Sequence, residues 1–150
     1  MDNPAVFKSA EIVLGNLTNS ALTTYDFKIV SSTAIYPFDF ILITFPEVIG
    51  LPSENISCQS STTKQSLAPI VCSRSEHEPN SVMIDNSNGA KILALEAFMI
   101  RIDNVMNPNT TKPTSPIKVV VYDSVQLSRP TAKDPENLIV TTVIPFTVSS

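Results

Sequence analysis

Residues able to do chemistry are few in this chain, and most point to cross-linking or modification. Cys58 and Cys72 stand 14 positions apart, with the polar run SSTTKQSLAPIV between them. A metal or redox pair needs CxxC spacing or histidine partners, and neither is present. A disulfide between them would close the base of a long hairpin and contribute about 3 kcal/mol by the loop-entropy model. Two independent free thiols are the remaining reading. Three N-x-S/T triplets occur, at Asn16, Asn55 and Asn109. About two would arise from this composition by chance, so their positions carry more weight than their number. Each follows a Gly or Pro signal and falls in an expected loop or strand end, where an N-linked glycan reaches solvent. The stretch Thr110 to Pro116, rich in Ser, Thr and Pro, also suits O-linked sugar.

Catalytic and metal constellations are not expected. The only histidine is His77, between Glu76 and Glu78. Neighbours in an extended chain point to opposite faces, so these three converge poorly, and the run reads as a solvated loop. Asp85-Asn86-Ser87-Asn88-Gly89 opens like a calcium loop, and Glu96 falls at its twelfth position. The intervening KILAL is unlike the second half of such a loop, so a turn is the better reading. Carboxylates at Asp26, Asp39, Glu47, Asp103, Asp123 and Asp134 show no paired spacing. No HExxH, GxGxxG, P-loop or nucleophile–base arrangement is evident. An enzyme, a bound metal and a diffusible cofactor are accordingly not expected, and covalent glycans are.

The elements that must position these residues read as strands. Apolar residues make up 43% and charged residues 16% of 150, a balance that places the chain among folded domains. One domain spanning 1–150 is expected, with a core large enough to need little cross-linking. Ser and Thr together make 32 residues, so hydroxyls supply much of the solubility that charge supplies elsewhere. Net charge is −4 with no basic run, which argues against nucleic acid as a partner. No apolar stretch approaches the roughly 20 residues of a membrane helix. The opening MDNPAVFKSA lacks the charged and apolar regions of a signal peptide, so a mature portion or a piece of a secreted protein is expected.

Along the chain, apolar residues recur with a period of two. Tyr25, Phe27 and Ile29 share a face within Thr23 to Ser31. Asp39 to Phe45 is apolar on both faces, as in a central strand. In KILALEAFMIRID the first half contains helix formers, and a strand is expected from about Ala97, with Ile92 to Glu96 left open. Ile117 to Asp123 is β-branched and aromatic. Weaker strands are expected at Phe7 to Leu14, Ile56 to Gln59, Ile70 to Ser73 and Val82 to Ile84. Leu138, Val140, Ile144, Phe146 and Val148 keep step over the last segment. Pro46 to Pro52, Asn107 to Pro116 and Pro130 to Asn137 read as punctuation. The expectation is an all-β, antiparallel β-sandwich of the Ig-like or jelly-roll-like kind, with about 8–10 strands. With 3 glycines against 12 prolines, longer proline-stiffened crossings should replace tight glycine hairpins.

Two segments, DFILITFPEVIGLPSENISC (Asp39 to Cys58) and FMIRIDNVMNPNTTKPTSPIKVVVYDS (Phe98 to Ser124), resemble a pattern of large cell-surface and appendage glycoproteins of ciliates and related protists. There an ITFP-like strand leads to a cysteine, and an F-x-I segment with Asn-Pro then returns through K-P-T-S to a strand ending in Tyr-Asp. Phe98, Ile100, Asn107, Pro108, Lys112, Pro113, Thr114, Ser115, Tyr122 and Asp123 fit it. The resemblance implies secreted, glycosylated β-sandwich modules of surface coats, adhesins or filaments.

Two functions follow as expectations for an extracellular or cell-surface protein. The first is a structural subunit of a glycosylated filament or coat that assembles head to tail from copies of itself. Its terminal segments, 1–8 and 137–150, are the candidates for strand exchange between neighbours, and Leu138, Val140, Ile144, Phe146 and Val148 supply the apolar face. Pro145 counts against that strand being central, and packing within its own domain is the plainer reading. The second is an adhesion or carbohydrate-binding module of a larger surface protein. Trp is absent, and Tyr25, Tyr36 and Tyr122 suit core or strand-end positions better than a sugar platform.

Overall fold

The computed structural model describes residues 5–35, 39–52, 56–63, 66–74, 80–85, 92–122 and 130–133. In chain order the strands are β1 (Ala5–Val6), β2 (Ser9–Leu14), β3 (Leu22–Val30), β4 (Phe40–Thr44) and β5 (Cys58–Thr62), followed by β6 (Ala68–Arg74), β7 (Ser81–Asp85), β8 (Ala97–Met106), β9 (Lys118–Tyr122) and β10 (Pro130–Lys133). Among the described residues all ten pair in one sheet, ordered β1-β10-β9-β4-β7-β6-β5-β8-β3-β2. Every pairing is antiparallel except the short parallel one between β1 and β10.

This corrects the expected two-sheet sandwich. The decisive element is β6, whose first half pairs with β5 through Ala68–Ile70 and whose second half pairs with β7 through Val71–Arg74. Hydrogen bonding therefore runs unbroken round the corner where a sandwich would separate into layers. The two edges, β1 and β2, are joined by Phe7 and Lys8 alone. Val6 and Ser9 can stand no more than about 11 Å apart across that link. A sheet whose edges lie so close must curl, and it forms a half-barrel around one core. Alternation in the sequence reports which side chains face inward. It does not report whether the sheet carrying them breaks.

Inward residues meet in register. Tyr25, Phe27 and Ile29 of β3 lie opposite Ile102, Ile100 and Phe98 of β8. Ile41 and Ile43 of β4 stand between Ile84 and Val82 of β7 and Val121 and Val119 of β9. All of these are buried, and each such side chain contributes about 1.5–3 kcal/mol when fully removed from water. Phe45 joins the two walls, its ring edge-on to Tyr25 at 6.2 Å and to Phe27 at 5.9 Å. Leu42, on the outward side of β4, is also buried, in keeping with the two-faced apolar run.

The helix formers before Ala97 do not make a helix. Ile92 bridges to Ile35, a turn closes through Glu96 N–H to Leu93 O at 3.1 Å, and β8 begins at Ala97. Pairing of β8 on both sides, with β3 and β5, overrides the local preference. β10 lies within the run read as punctuation, and its first residue is Pro130, a position where a strand needs no ladder N–H.

Candidate functional site

The glycosylation triplets at Asn16 and Asn109 lie 93 positions apart in sequence. The fold brings them to one end of the half-barrel. Asn16 opens the connection from β2 to β3, and Asn109 lies in the proline-rich connection from β8 to β9. Asn107 ties the two connections together. It is buried, and its Nδ2 donates to Asn16 O at 2.8 Å and to Thr18 O at 2.7 Å. Its Oδ1 accepts from the Tyr25 hydroxyl at 2.7 Å, and its backbone N–H donates to Ala21 O at 2.9 Å. Both amide donors, the amide acceptor and the backbone donor are thus engaged, as a buried asparagine requires.

Further bonds complete the frame. Ser20 N–H donates to Pro108 O at 3.1 Å, and Ser20 Oγ–H donates to Asn109 Oδ1 at 2.9 Å. Ser20 takes a φ of 61°, a left-handed conformation used here without glycine. Asn16 Oδ1 accepts from Thr18 N–H at 2.9 Å, the side-chain turn that asparagine offers in loops. In both triplets the amide oxygen is engaged while the side chain is exposed. The nitrogen at which an N-linked sugar would attach therefore sits on an oriented and accessible group. Burial of Tyr25 pushes its phenol pKa well above the ordinary value, so the hydroxyl remains the donor to Asn107.

A second asparagine secures the same end. Asn80, at φ 55°, donates from Nδ2 to Pro46 O at 2.8 Å and Ile49 O at 3.0 Å. The turn it holds delivers Gly50, which exchanges backbone hydrogen bonds with Met106 at 3.0 and 2.8 Å. A Cβ at Gly50 would stand 3.1 Å from Met106 Cβ, so the close approach favours glycine.

Cys58 and Cys72 form a disulfide, with Cα atoms 6.1 Å apart. The bond does more than close a hairpin. Cys58 lies in β5, whereas Cys72 lies in the half of β6 that has left β5 for β7. It clasps the corner at which the sheet turns.

Asn55, His77, Asn86 to Gly89, and the run Leu138, Val140, Ile144, Phe146 and Val148 lie outside the described residues. Among the described residues, no group of three or more His, Cys, Asp or Glu is placed to hold a metal. Asp26 and Arg101 meet on the outer face in a two-pronged ion pair at 2.8 and 3.0 Å, and the hydrogen bond to Asp26 raises the Arg101 pKa. An open groove of about 680 Å³ lies at one end of β2, β3, β8 and β5, lined by Glu11, Lys28, Ser61 and Met99 together with the inward Ile29 and Phe98. The first four form one row across the strands, Glu11 opposite Lys28, Lys28 opposite Met99 and Met99 opposite Ser61. The roles of buried Asn107 and half-buried Asn80 are not legible in the sequence. The available signal was asparagine at loop ends in a chain almost without glycine.

No family model and no curated protein matches the chain. Among solved structures, one similar in outline is described as "AvmM Catalyzes Macrocyclization in Alchivemycin A Biosynthesis", at TM-score 0.38 and 8% identity over 97% of this chain and 98% of that one. A likeness at that level carries no argument about fold or activity.

Proposed function

We propose that this chain is a structural β-module of an extracellular glycosylated filament or surface coat, assembled from copies of itself. The observation that carries the reading is the placement of Asn16 and Asn109 on one rigid end, held there by Asn107. A cluster of oriented acceptor asparagines suits a scaffold that displays sugar, and the disulfide suits an oxidising compartment. Exchange of chain ends is the route to polymers. β1, within segment 1–8, adds to β10 through the pairs Ala5–Ala132 and Val6–Lys133 among the described residues. Trading that pairing for the same pairing with a neighbour leaves the ladder bonds unchanged in kind, and head-to-tail trades of this sort propagate as filaments.

The test is expression in a secreting eukaryotic host, followed by intact mass before and after deglycosylation and by electron microscopy. Filaments and a glycan at Asn16 or Asn109 support the proposal. Deletion of 1–8 or of 137–150 should abolish polymers, and polymers that survive both deletions reject exchange through the ends. A soluble monomer with a signal on a glycan array would favour the adhesion reading instead.

A further inference from the structure

We propose that the open edge of β2 is a self-docking edge, which takes β2 of a second copy of this chain in antiparallel register about Ile12. Among the described residues β2 has one neighbour, β3, in an unbroken register from Ser9–Val30 to Leu14–Tyr25. Gly15 N–H donates to Thr24 O at 3.0 Å, which fixes the phase of that ladder. Antiparallel hydrogen-bonded pairs alternate, so Ser9, Glu11 and Val13 bond toward β3. The backbone groups of Ala10, Ile12 and Leu14 then point away from the sheet.

Natural edges are commonly blunted by proline, by lysine or by a bulge within the strand. Ser9–Leu14, SAEIVL, has neither proline nor lysine, and its one charge, Glu11, lies on the outer face opposite exposed Lys28. On the inner face Ala10, Ile12 and Leu14 pack against the core and remain half-exposed. Among the described residues the edge offers both unused ladder groups and unfinished apolar contact.

Self-pairing satisfies both. With the two-fold axis at Ile12, each Ile12 bonds to its mate in both directions, and Ala10 and Leu14 of one copy bond to Leu14 and Ala10 of the other. The inner face then sets Ile12 against Ile12 and Ala10 against Leu14, continuing the apolar row. The outer face sets Glu11 against Val13, which is 41% exposed in the isolated chain. No like charges fall directly opposite. The two Glu11 side chains are diagonal neighbours at roughly 7–8 Å, and each has Lys28 of its own chain across from it, which offsets their repulsion. Such a contact is isologous and closes as a pair, so it joins subunits side by side and is separate from any end-to-end exchange.

Sedimentation of the full chain across a concentration series tests this, together with two variants. Ile12→Pro removes an N–H that β3 does not use and should weaken the dimer roughly 10- to 100-fold by deleting two intersubunit hydrogen bonds. Ile12→Cys places two thiols across the axis with Cα atoms about 5.5 Å apart, within reach of a disulfide. Mild oxidation should convert I12C to a covalent dimer and leave Val13→Cys, whose mate lies on the diagonal, monomeric. A wild-type chain that stays monomeric at every concentration, with I12C uncross-linked, overturns the proposal. Equal cross-linking of I12C and V13C overturns the register. Because the variants lie outside segments 1–8 and 137–150, loss of filaments with retained dimers, or the reverse, separates this contact from exchange through the ends.

Discussion

Tyr25 and Asn107, 82 positions apart in the chain, are joined by a 2.7 Å hydrogen bond beneath the loop end that carries both described glycosylation triplets. The bond couples the inner wall of the half-barrel to its surface, because Tyr25 belongs to the core row of β3 and Asn107 bolts two loops together. Removing the hydroxyl in Tyr25→Phe strands one acceptor and should cost about 1–1.5 kcal/mol. Asn107→Ala strands the Tyr25 hydroxyl and the carbonyls of Asn16 and Thr18 at once, and should cost about 3 kcal/mol. In a double-mutant cycle by urea unfolding the two changes should couple by about 1 kcal/mol. Strict additivity would show that the bond contributes nothing to the fold.

The same tyrosine gives a pH dependence. Burial raises its folded-state pKa above the ordinary 10.0, whereas in the unfolded chain the phenol ionises near that value. A raised folded pKa means the associated stability is fully present below about pH 10 and is lost as pH rises from there toward the folded value. Unfolding free energy of the wild type should therefore fall more steeply above pH 10 than that of Y25F. Parallel curves for the two proteins would mean that Tyr25 titrates in the folded state as it does in water.

Much of the sheet was legible because period-two alternation is a strong local signal. The strands around Tyr25–Phe27–Ile29, Ile41–Ile43 and Val119–Val121 have apolar rows that no helix would use. The closure of those strands into one curled sheet was not legible, since it depends on β6 changing partner after Ile70. That change leaves no mark in hydrophobicity, as Ile70 and Cys72 continue the same alternation across it. The candidate site divides in the same way. Asn16 and Asn109 are found by their triplets, while Asn107 is recognised only when its partners, Asn16, Thr18 and Tyr25, are placed around it. Long-range satisfaction of a buried amide is a tertiary property.

The clasp at the corner predicts a local as well as a global effect. Cys58→Ser with Cys72→Ser reopens a 14-residue loop and should cost about 3 kcal/mol in urea unfolding. Native-state hydrogen exchange should show the loss first in β5 and β6, with β3 and β8 the last to lose protection. Uniform loss across all strands would show that the bond acts only through the unfolded chain.

The ion pair on the outer face should matter far less than the buried amide. Arg101 and Asp26 side chains are 33% and 14% exposed, so solvent and salt screen their attraction. Asp26→Asn should cost no more than about 1 kcal/mol, and the cost should shrink in 1 M salt. A larger, salt-independent loss would indicate that the pair holds the register of β3 against β8, where Asp26 lies opposite Arg101.

The glycan prediction follows from side chains that are exposed yet oriented. Material secreted from eukaryotic cells should lose one glycan mass on Asn16→Gln and another on Asn109→Gln. Neither change touches the core, and each removes one loop hydrogen bond, to Thr18 N–H or from Ser20 Oγ–H. The cost to stability should stay near 0.5–1.5 kcal/mol, well below that of N107A. The wild type, both single variants and the double variant can be compared by intact mass before and after deglycosylation. Unchanged masses in the double variant would remove the sugar-bearing end from the account, even though the asparagine frame beneath it would still be needed for folding.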